Sequence, residues 1–496
     1  MASGGAAGAR PGPPGLPPAG TVPERPVPTS GLDAFFSAVE GPTTPMLVTA
    51  VAVLDPPPGG SVAAASVQRE LGERAGRLPA LARRLSGGPL GLEAPHWRPV
   101  DQLDLAYHLR RAALPSPGGL PEIADLAGEL LSHPLDLSQP PWRLWVVEGL
   151  AGGGLVLVAQ AHHALVDGAA GLGIFAQLLL PGPAPSRQAR RDPRRAAPAS
   201  GPPAPRSSAS GAGPGEGRQA PSALAALEAL PWFLGWPGST EVAGRRSGPF
   251  RCPRAPWNGT VSARRVVAFA HLPLAAFQAA RATGATVNDV LLTTVGLALR
   301  RWLPPEATGP GSRSLSALVP VSLRPSPPAG GPLDDEPLTG NAVGCAFVPL
   351  GTDQPDPARA LAAVQAATSA AVPEARALGS AFEALAALAR PVLTRPLVGV
   401  AAALRLFDRL PPLANLVVSF LSLPVEGLPV LGGRLRALYP LGPVPEGLGL
   451  NVTALRTQTG LFLGISGCAE RAPWVRSLAD ALPEALDELS RALRGW

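Results

Sequence analysis

Residues 155–168 read Leu155-Val156-Leu157-Val158-Ala159-Gln160-Ala161-His162-His163-Ala164-Leu165-Val166-Asp167-Gly168. The run 155–160 is rich in Val and Leu and follows a glycine cluster, the composition of a short buried strand. It leads straight into adjacent histidines, and 172–180 then has a helical pattern stopped by Pro181. A strand, then His-His-x-x-x-Asp-Gly, then a helix places an imidazole at a strand end, where loops collect function. With six histidines in 496 residues, these four specified positions are expected by chance in fewer than about one such chain in a thousand. In extended backbone, neighbouring side chains point to opposite faces, so both histidines cannot share one core. Two structural histidines with satisfied hydrogen bonds are the plain alternative. A metal site is the other, but His163 and Asp167 lack a third ligand and the helical context of known motifs, so no metal is assigned.

One neutral imidazole suits a reaction in which an alcohol loses its proton while attacking a carbonyl near neutral pH. If that carbonyl is a thioester, its leaving group departs readily, and direct transfer needs no nucleophilic Ser or Cys. Asp167 either orients His163 or is held by an arginine to shape the turn, and the shaping role is the better reading. Gly168 allows close backbone approach ahead of the helix.

Outward from this stretch, strands are expected at 46–54, 144–149, 266–272, 315–323, 342–350, 413–423, 448–455 and 461–467. Helices are expected at 66–85, 119–132, 274–283, 286–303, within 357–408, and at 474–493. The mixture in both halves makes the chain α/β or α+β, and 496 residues suit two domains. The expected division is a disordered tail at 1–30, an N-terminal domain at 31–181, a linker at 182–255 and a C-terminal domain at 256–496. The linker is dense in Pro, Ala and Gly and holds 11 arginines against four acids, a net of +7 that accounts for the chain's +6. It is either a solvated spacer or, with Arg187–Arg195 beside the Trp- and Phe-containing run 224–236, a dock for an anionic membrane surface. Nucleic acid is not assigned as a partner, because no recognised binding motif accompanies the charge.

The chain contains no lysine, and only 16% of its residues are charged against 46% hydrophobic, which fits an enzyme of greasy substrates. Cys252, Cys345 and Cys468 are odd in number and widely spaced, which suits a reducing cytosol and neither a disulfide framework nor zinc. The N-terminus lacks a signal-peptide core, and no apolar run reaches spanning length, so any membrane contact is expected to be peripheral.

Several further segments carry a family resemblance. Leu32-Asp33-Ala34-Phe35-Phe36, Pro42-Thr43-Thr44-Pro45-Met46, His96-Trp97, Tyr107-His108-Leu109-Arg110 and Pro134-Leu135-Asp136 lie in the first half. Gly284-Ala285-Thr286-Val287-Asn288-Asp289-Val290, Pro320-Val321-Ser322-Leu323-Arg324 and Gly340-Asn341 lie in the second. With the histidine motif, they make the chain resemble the bacterial wax ester synthase/diacylglycerol acyltransferase family, within the chloramphenicol-acetyltransferase-like superfamily. The resemblance implies two similar domains meeting at an interface tunnel, into which acyl-CoA and a lipid alcohol enter separately. It makes His163 the general base, with His162, Asp167 and Gly168 in support. It also places Asn288 and Asp289 near the interface, although Thr286-Val287-Asn288-Asp289 equally reads as a helix capping box.

The implied product is triacylglycerol or wax ester, formed with acyl-CoA as co-substrate and no cofactor. The implied location is cytoplasmic, at a membrane or lipid-droplet surface. Carrier-protein-dependent transfer of the condensation-domain type is the enzymatic alternative; a catalytically weak lipid-binding homologue is the other. The last is motivated by Ser419-Phe420-Leu421-Ser422-Leu423-Pro424, which stands where the family has a segment of small residues with an Asn and a Gly. That bulk is expected to restrict the acyl or alcohol range.

Overall fold

The computed structural model describes residues 26–87, 93, 95–180, 241–242, 245–246, 248–308, 311–324, 340–423 and 427–494. Residues 1–25 and most of the 182–255 linker, with Arg187–Arg195, lie outside the described residues; Val27–Pro28, expected within a disordered tail, instead pairs antiparallel with the strand His96–Pro99.

The histidine strand Leu155–His162 sits inside a six-stranded sheet, between Leu47–Asp55 and Trp142–Glu148, both antiparallel to it. Its apolar run is explained by burial: Leu157 and Val158 are inaccessible and belong to apolar clusters on opposite faces of the sheet. Leu109–Ala113 closes one edge in parallel with Trp142–Glu148. The other edge comes from the far end of the chain, where Gly433–Leu441 pairs antiparallel with Leu47–Asp55 and Pro429–Val430 follows outside it. The expected boundary between 31–181 and 256–496 is therefore crossed: residues of the second domain complete the sheet of the first.

The second six-stranded sheet runs Arg265–Pro273, Gly460–Cys468, Leu450–Arg456, Leu416–Ser422, Ser316–Ser322, Val343–Pro349. The two pairings that flank Leu416–Ser422 are parallel and the others antiparallel. Helices Val287–Leu299, Pro357–Ala377 and Val475–Arg494 cover one face, and their residues share a cluster with the sheet. The halves meet closely where a Cβ on Gly464 would lie 2.0 Å from the Pro440 carbonyl oxygen, so only glycine lets the crossing strand pass. The fold is mixed α/β with two similar lobes, as the resemblance implied.

Differences from the sequence reading are local. The expected helix 66–85 stops at Ala75 and gives way to a 3-10 turn, Pro79–Leu81, and the strand Arg83–Ser86. Gly76 and Pro79 end the helical pattern there. The expected helix 274–283 is a 3-10 turn plus one short helix. The helix after the motif begins at Gly168 rather than at 172, because Asp167 caps it. Gly433–Leu441 was not expected as a strand; Arg434 and Arg436 alternate with buried Leu435 and Ala437, and from Ala437 on the strand is buried on both faces. Among the described residues, no single helix is long and apolar enough to cross a membrane.

Candidate active site

The two histidines leave the strand in opposite directions. His162 is fully buried, and its Nδ1 accepts from the Ala164 N–H at 3.0 Å, so that nitrogen carries no proton. Its Nε2 faces the Glu40 carboxylate at 3.3 Å without hydrogen-bond alignment. That is a structural setting, since His162 holds the turn and is not among the residues lining the cavity between the lobes.

His163 sits one residue on, its backbone N–H donating to the Met46 carbonyl at 2.7 Å. Its ring stacks on Phe36 with centroids 3.8 Å apart and borders the cavity. Nδ1 lies 3.1 Å from Asn341 Oδ1. The amide of Asn341 fixes the proton position: its Nδ2 donates to the Asp33 carboxylate at 2.8 Å and to the His163 carbonyl at 2.7 Å. With both amide hydrogens directed at acceptors, Oδ1 accepts, and Nδ1 of His163 carries the hydrogen. The Nε2 lone pair then has no partner among the described residues. Burial pushes the His163 pKa below its ordinary value, with the neighbouring His162 adding to the fall. Its backbone, Asp167 and Asn341 offset only part of that shift. The imidazole is thereby a neutral acceptor of one proton at neutral pH.

Asp167 has the turn-shaping geometry. One oxygen caps the helix by accepting from Ala170 N–H at 2.8 Å. The other accepts from Arg324 Nη2 at 2.9 Å and from the Ala342 N–H at 3.1 Å. Arg324 also donates to the Gly340 carbonyl at 2.7 Å, and the Gly340 N–H donates to the Leu165 carbonyl at 3.0 Å. Gly340 has φ of +82°, a turn that L residues with side chains rarely adopt, and so delivers Asn341 to His163. A Cβ on Gly168 would sit 3.1 Å from the Leu421 side chain, so the close approach there is by a side chain from the second lobe, not by backbone.

Asn288 and Asp289 lie elsewhere. Asp289 is the third residue of the helix Val287–Leu299 and forms the capping box with Thr286. Its other oxygen accepts from the Thr368 hydroxyl at 2.5 Å. Asn288 is half-buried, and neither residue borders the cavity. Among the described residues, no group of His, Cys, Asp and Glu is arranged to hold a metal.

The cavity measures about 730 Å³ and lies between the lobes, within the usual ~300–1,000 Å³ of small-molecule sites. Leu32, Val48 and Ile174 line it from the first lobe, and Leu318, Val343 and Phe347 from the second. Ser419, Phe420 and Leu421 of the altered segment border it directly, whereas Leu423 is buried in the first lobe's core. Cys345 also borders it, but burial drives its thiol pKa up to about 12, so it stays protonated. Asp33, Phe36, Glu40, Arg324 and Asn341 had no role assigned from sequence. All but Glu40 fall within segments that carried the family resemblance, which was the available signal.

Structural likeness fixes the fold first. The chain aligns over 94% of its length with the wax ester synthase/diacylglycerol acyltransferase of Marinobacter aquaeolei VT8, covering all of it at a TM-score of 0.62 and 23% identity. It also aligns over 94% of its length with the first condensation domain of the calcium-dependent antibiotic synthetase, covering 95% of it at a TM-score of 0.57 and 18% identity. These likenesses show the two-lobed fold of mixed helix and sheet.

The family follows from sequence. Residues 29–291 match the wax ester synthase/diacylglycerol acyltransferase catalytic domain, and residues 339–490 match the family's C-terminal domain. A Mycobacterium tuberculosis protein provisionally named as a diacylglycerol O-acyltransferase is 32% identical over 486 residues, spanning 93% of this chain and 98% of that protein. Another from that organism, with the same activity in its provisional name, is 33% identical over 81% of this chain and 83% of its own length. The chain belongs to the wax ester synthase/diacylglycerol acyltransferase family, and it is an acyltransferase.

Proposed function

We propose that this enzyme moves a fatty acyl group from acyl-CoA to diacylglycerol or a long-chain alcohol, with His163 as general base and no cofactor. One observation carries the assignment of the base. Asn341 accepts from Nδ1 of His163, which leaves the Nε2 lone pair for the ring's position beside an apolar cavity. The alcohol O–H gives its proton to Nε2 as the oxygen attacks the thioester carbonyl. The tetrahedral intermediate then collapses with cleavage of the C–S bond, and the thiolate takes the proton from the imidazolium to leave as CoA. Direct transfer is favoured over a covalent acyl-cysteine because the Cys345 thiol is held protonated. His162, Asp167 and Gly168 support the base by shaping its turn. Asn288 and Asp289 act at one remove, through the second lobe's helix.

The enzyme works at a lipid surface that it meets peripherally, on the cytoplasmic side. The apolar walls of the cavity support this, since its substrates partition into lipid. Phe420 and Leu421 narrow the cavity and set a restricted acyl or alcohol range.

The test is thiol release and ester formation by the purified chain, across a panel of acyl-CoAs and alcohols. His163→Ala supplies the background. Ester formation above that background is expected for at least one pair. Release from an acylated carrier protein but from no acyl-CoA would overturn the choice of donor.

A further inference from the structure

The helix Pro391–Ala403 buries none of its residues, although its sequence is mostly apolar. Leu388, Leu393, Leu397, Val400, Leu404 and Leu410 each remain 53–70% exposed. Among the described residues, ten large apolar side chains are exposed, and these are the six most exposed of them. At about 100° per residue, Leu393, Leu397, Val400 and Leu404 fall on one face of the helix. Val398 faces the other way and borders the cavity, with Phe382, Leu385, Ala389 and Phe407 beside it. One helix is thus the cavity's wall on its inner side and a bare apolar stripe on its outer side.

A contiguous exposed apolar stripe signals a partner, and its charge setting selects the kind. From Leu385 to Phe407 the chain carries Arg390, Arg395 and Arg405 and no acid. Arg395 donates to the Ser37 carbonyl and so pins the helix to the first lobe. Arg405 is two-thirds exposed and shares Asp408 with Arg471. The preceding helix, Gly379–Ala386, meets this one at 86°, so the two do not form one straight apolar rod. With Arg395 and Arg405 engaged, Arg390 is the cation left beside this apolar face, a setting that matches anionic headgroups above acyl chains.

We propose that the Leu393–Leu397–Val400–Leu404 face docks in the headgroup plane of an anionic lipid surface, so that the lipid alcohol reaches the cavity past the same helix. This rests on the acyl-transfer reading for its substrate, but the docking is measurable without turnover.

The full chain would be compared with a Leu393→Gln, Leu397→Gln, Leu404→Gln variant, whose changes are all at exposed positions outside the cavity lining. Flotation with phosphatidylcholine/phosphatidylglycerol vesicles, with and without dioleoylglycerol, reads docking. The variant should keep its melting temperature and lose about tenfold or more in vesicle partitioning. Its kcat/KM for vesicle-borne dioleoylglycerol should fall in parallel, while turnover of a short water-soluble alcohol stays unchanged. Equal vesicle binding by both proteins overturns the proposal. So does a wild-type dimer, seen by light scattering, that the substitutions dissolve without affecting vesicle binding, because the face would then belong to a second copy. If the wild type released no CoA with any alcohol, the acyl-transfer reading would fail, and flotation would still decide the docking face.

Discussion

Two turns in this molecule each place an aspartate at a helix start, and they end in opposite roles. In the first lobe, Asp167 caps the helix Gly168–Leu179 with one oxygen and reaches across the lobe boundary to Arg324 and Ala342 with the other. In the second lobe, Asp289 closes on Thr286 and Thr368, both of its own lobe. Local chemistry is nearly the same, since both carboxylates satisfy N–H groups that a helix leaves open. What differs is where the spare oxygen goes. Asp167 helps join two lobes beside a base, whereas Asp289 stabilises one helix.

The sharpest way to break this contrast is at the base. His163→Ala should leave the fold intact and lower turnover by about 10²- to 10⁴-fold, the usual worth of a general base. Wild-type-like ester formation by that folded variant would remove His163 from the chemistry. The wild-type acid limb of kcat/KM should lie below the ordinary histidine value of 6.5, because burial lowers the pKa. Activity is lost as pH falls through that lowered value and the ring gains its proton. The same shift has a stability sign: the stabilisation is fully present above the unfolded value and fades as pH falls through it towards the folded one.

Next is the link from the second lobe. Asn341→Ala removes the acceptor that fixes the Nδ1–H tautomer and should cost roughly 10- to 100-fold in turnover. Asn341 also raises the His163 pKa, so its loss should move the acid limb to lower pH. A turnover loss with the limb moved upward would contradict this arrangement.

The lobe joint itself comes third. Arg324→Gln leaves the mostly buried Asp167 without its cation, and should cost about 3 kcal/mol of stability. Activity should fall together with melting temperature. An unchanged melting temperature with a selective loss of turnover would instead make the Arg324–Asp167 pair a direct part of catalysis.

Asp289→Ala should be the mildest. Loss of the capping box costs about 1–2 kcal/mol, and turnover at a temperature well below melting should stay within about twofold of wild type. A large drop in turnover with stability intact would bring the second turn into the site and erase the contrast.

Sequence made one side of this comparison readable and hid the other. The strand before His162, the turn and the capping box at Thr286–Asp289 are set by residues within a few positions of each other, and local rules find them. The turn-shaping role of Asp167 was also legible, because Gly168 and a helix pattern follow it. Its arginine was not, because Arg324 is 157 positions away and reaches it only through the fold. Asn341 was hidden for the same reason: it meets His163 from a turn made by Gly340, and no periodicity encodes a contact between lobes. Gly433–Leu441 shows the limit for strands. Its arginines mark one exposed face only at its start, and only the three-dimensional pairing reveals which sheet it serves.

That strand also constrains how the chain can be made. Until Gly433–Leu441 has left the ribosome, Leu47–Asp55 has no partner on one side and is an open sheet edge of Leu, Val and Ala. The stretch from Leu179 to Gly433 takes on the order of tens of seconds to translate at about 5–20 residues per second. During that interval the base-bearing sheet lacks its last two strands, and its edge at Leu47–Asp55 is open to joining another nascent chain. Separating the lobes by cutting the linker and expressing the first alone would make that interval permanent. The second lobe therefore serves as the intramolecular guard of the first lobe's edge.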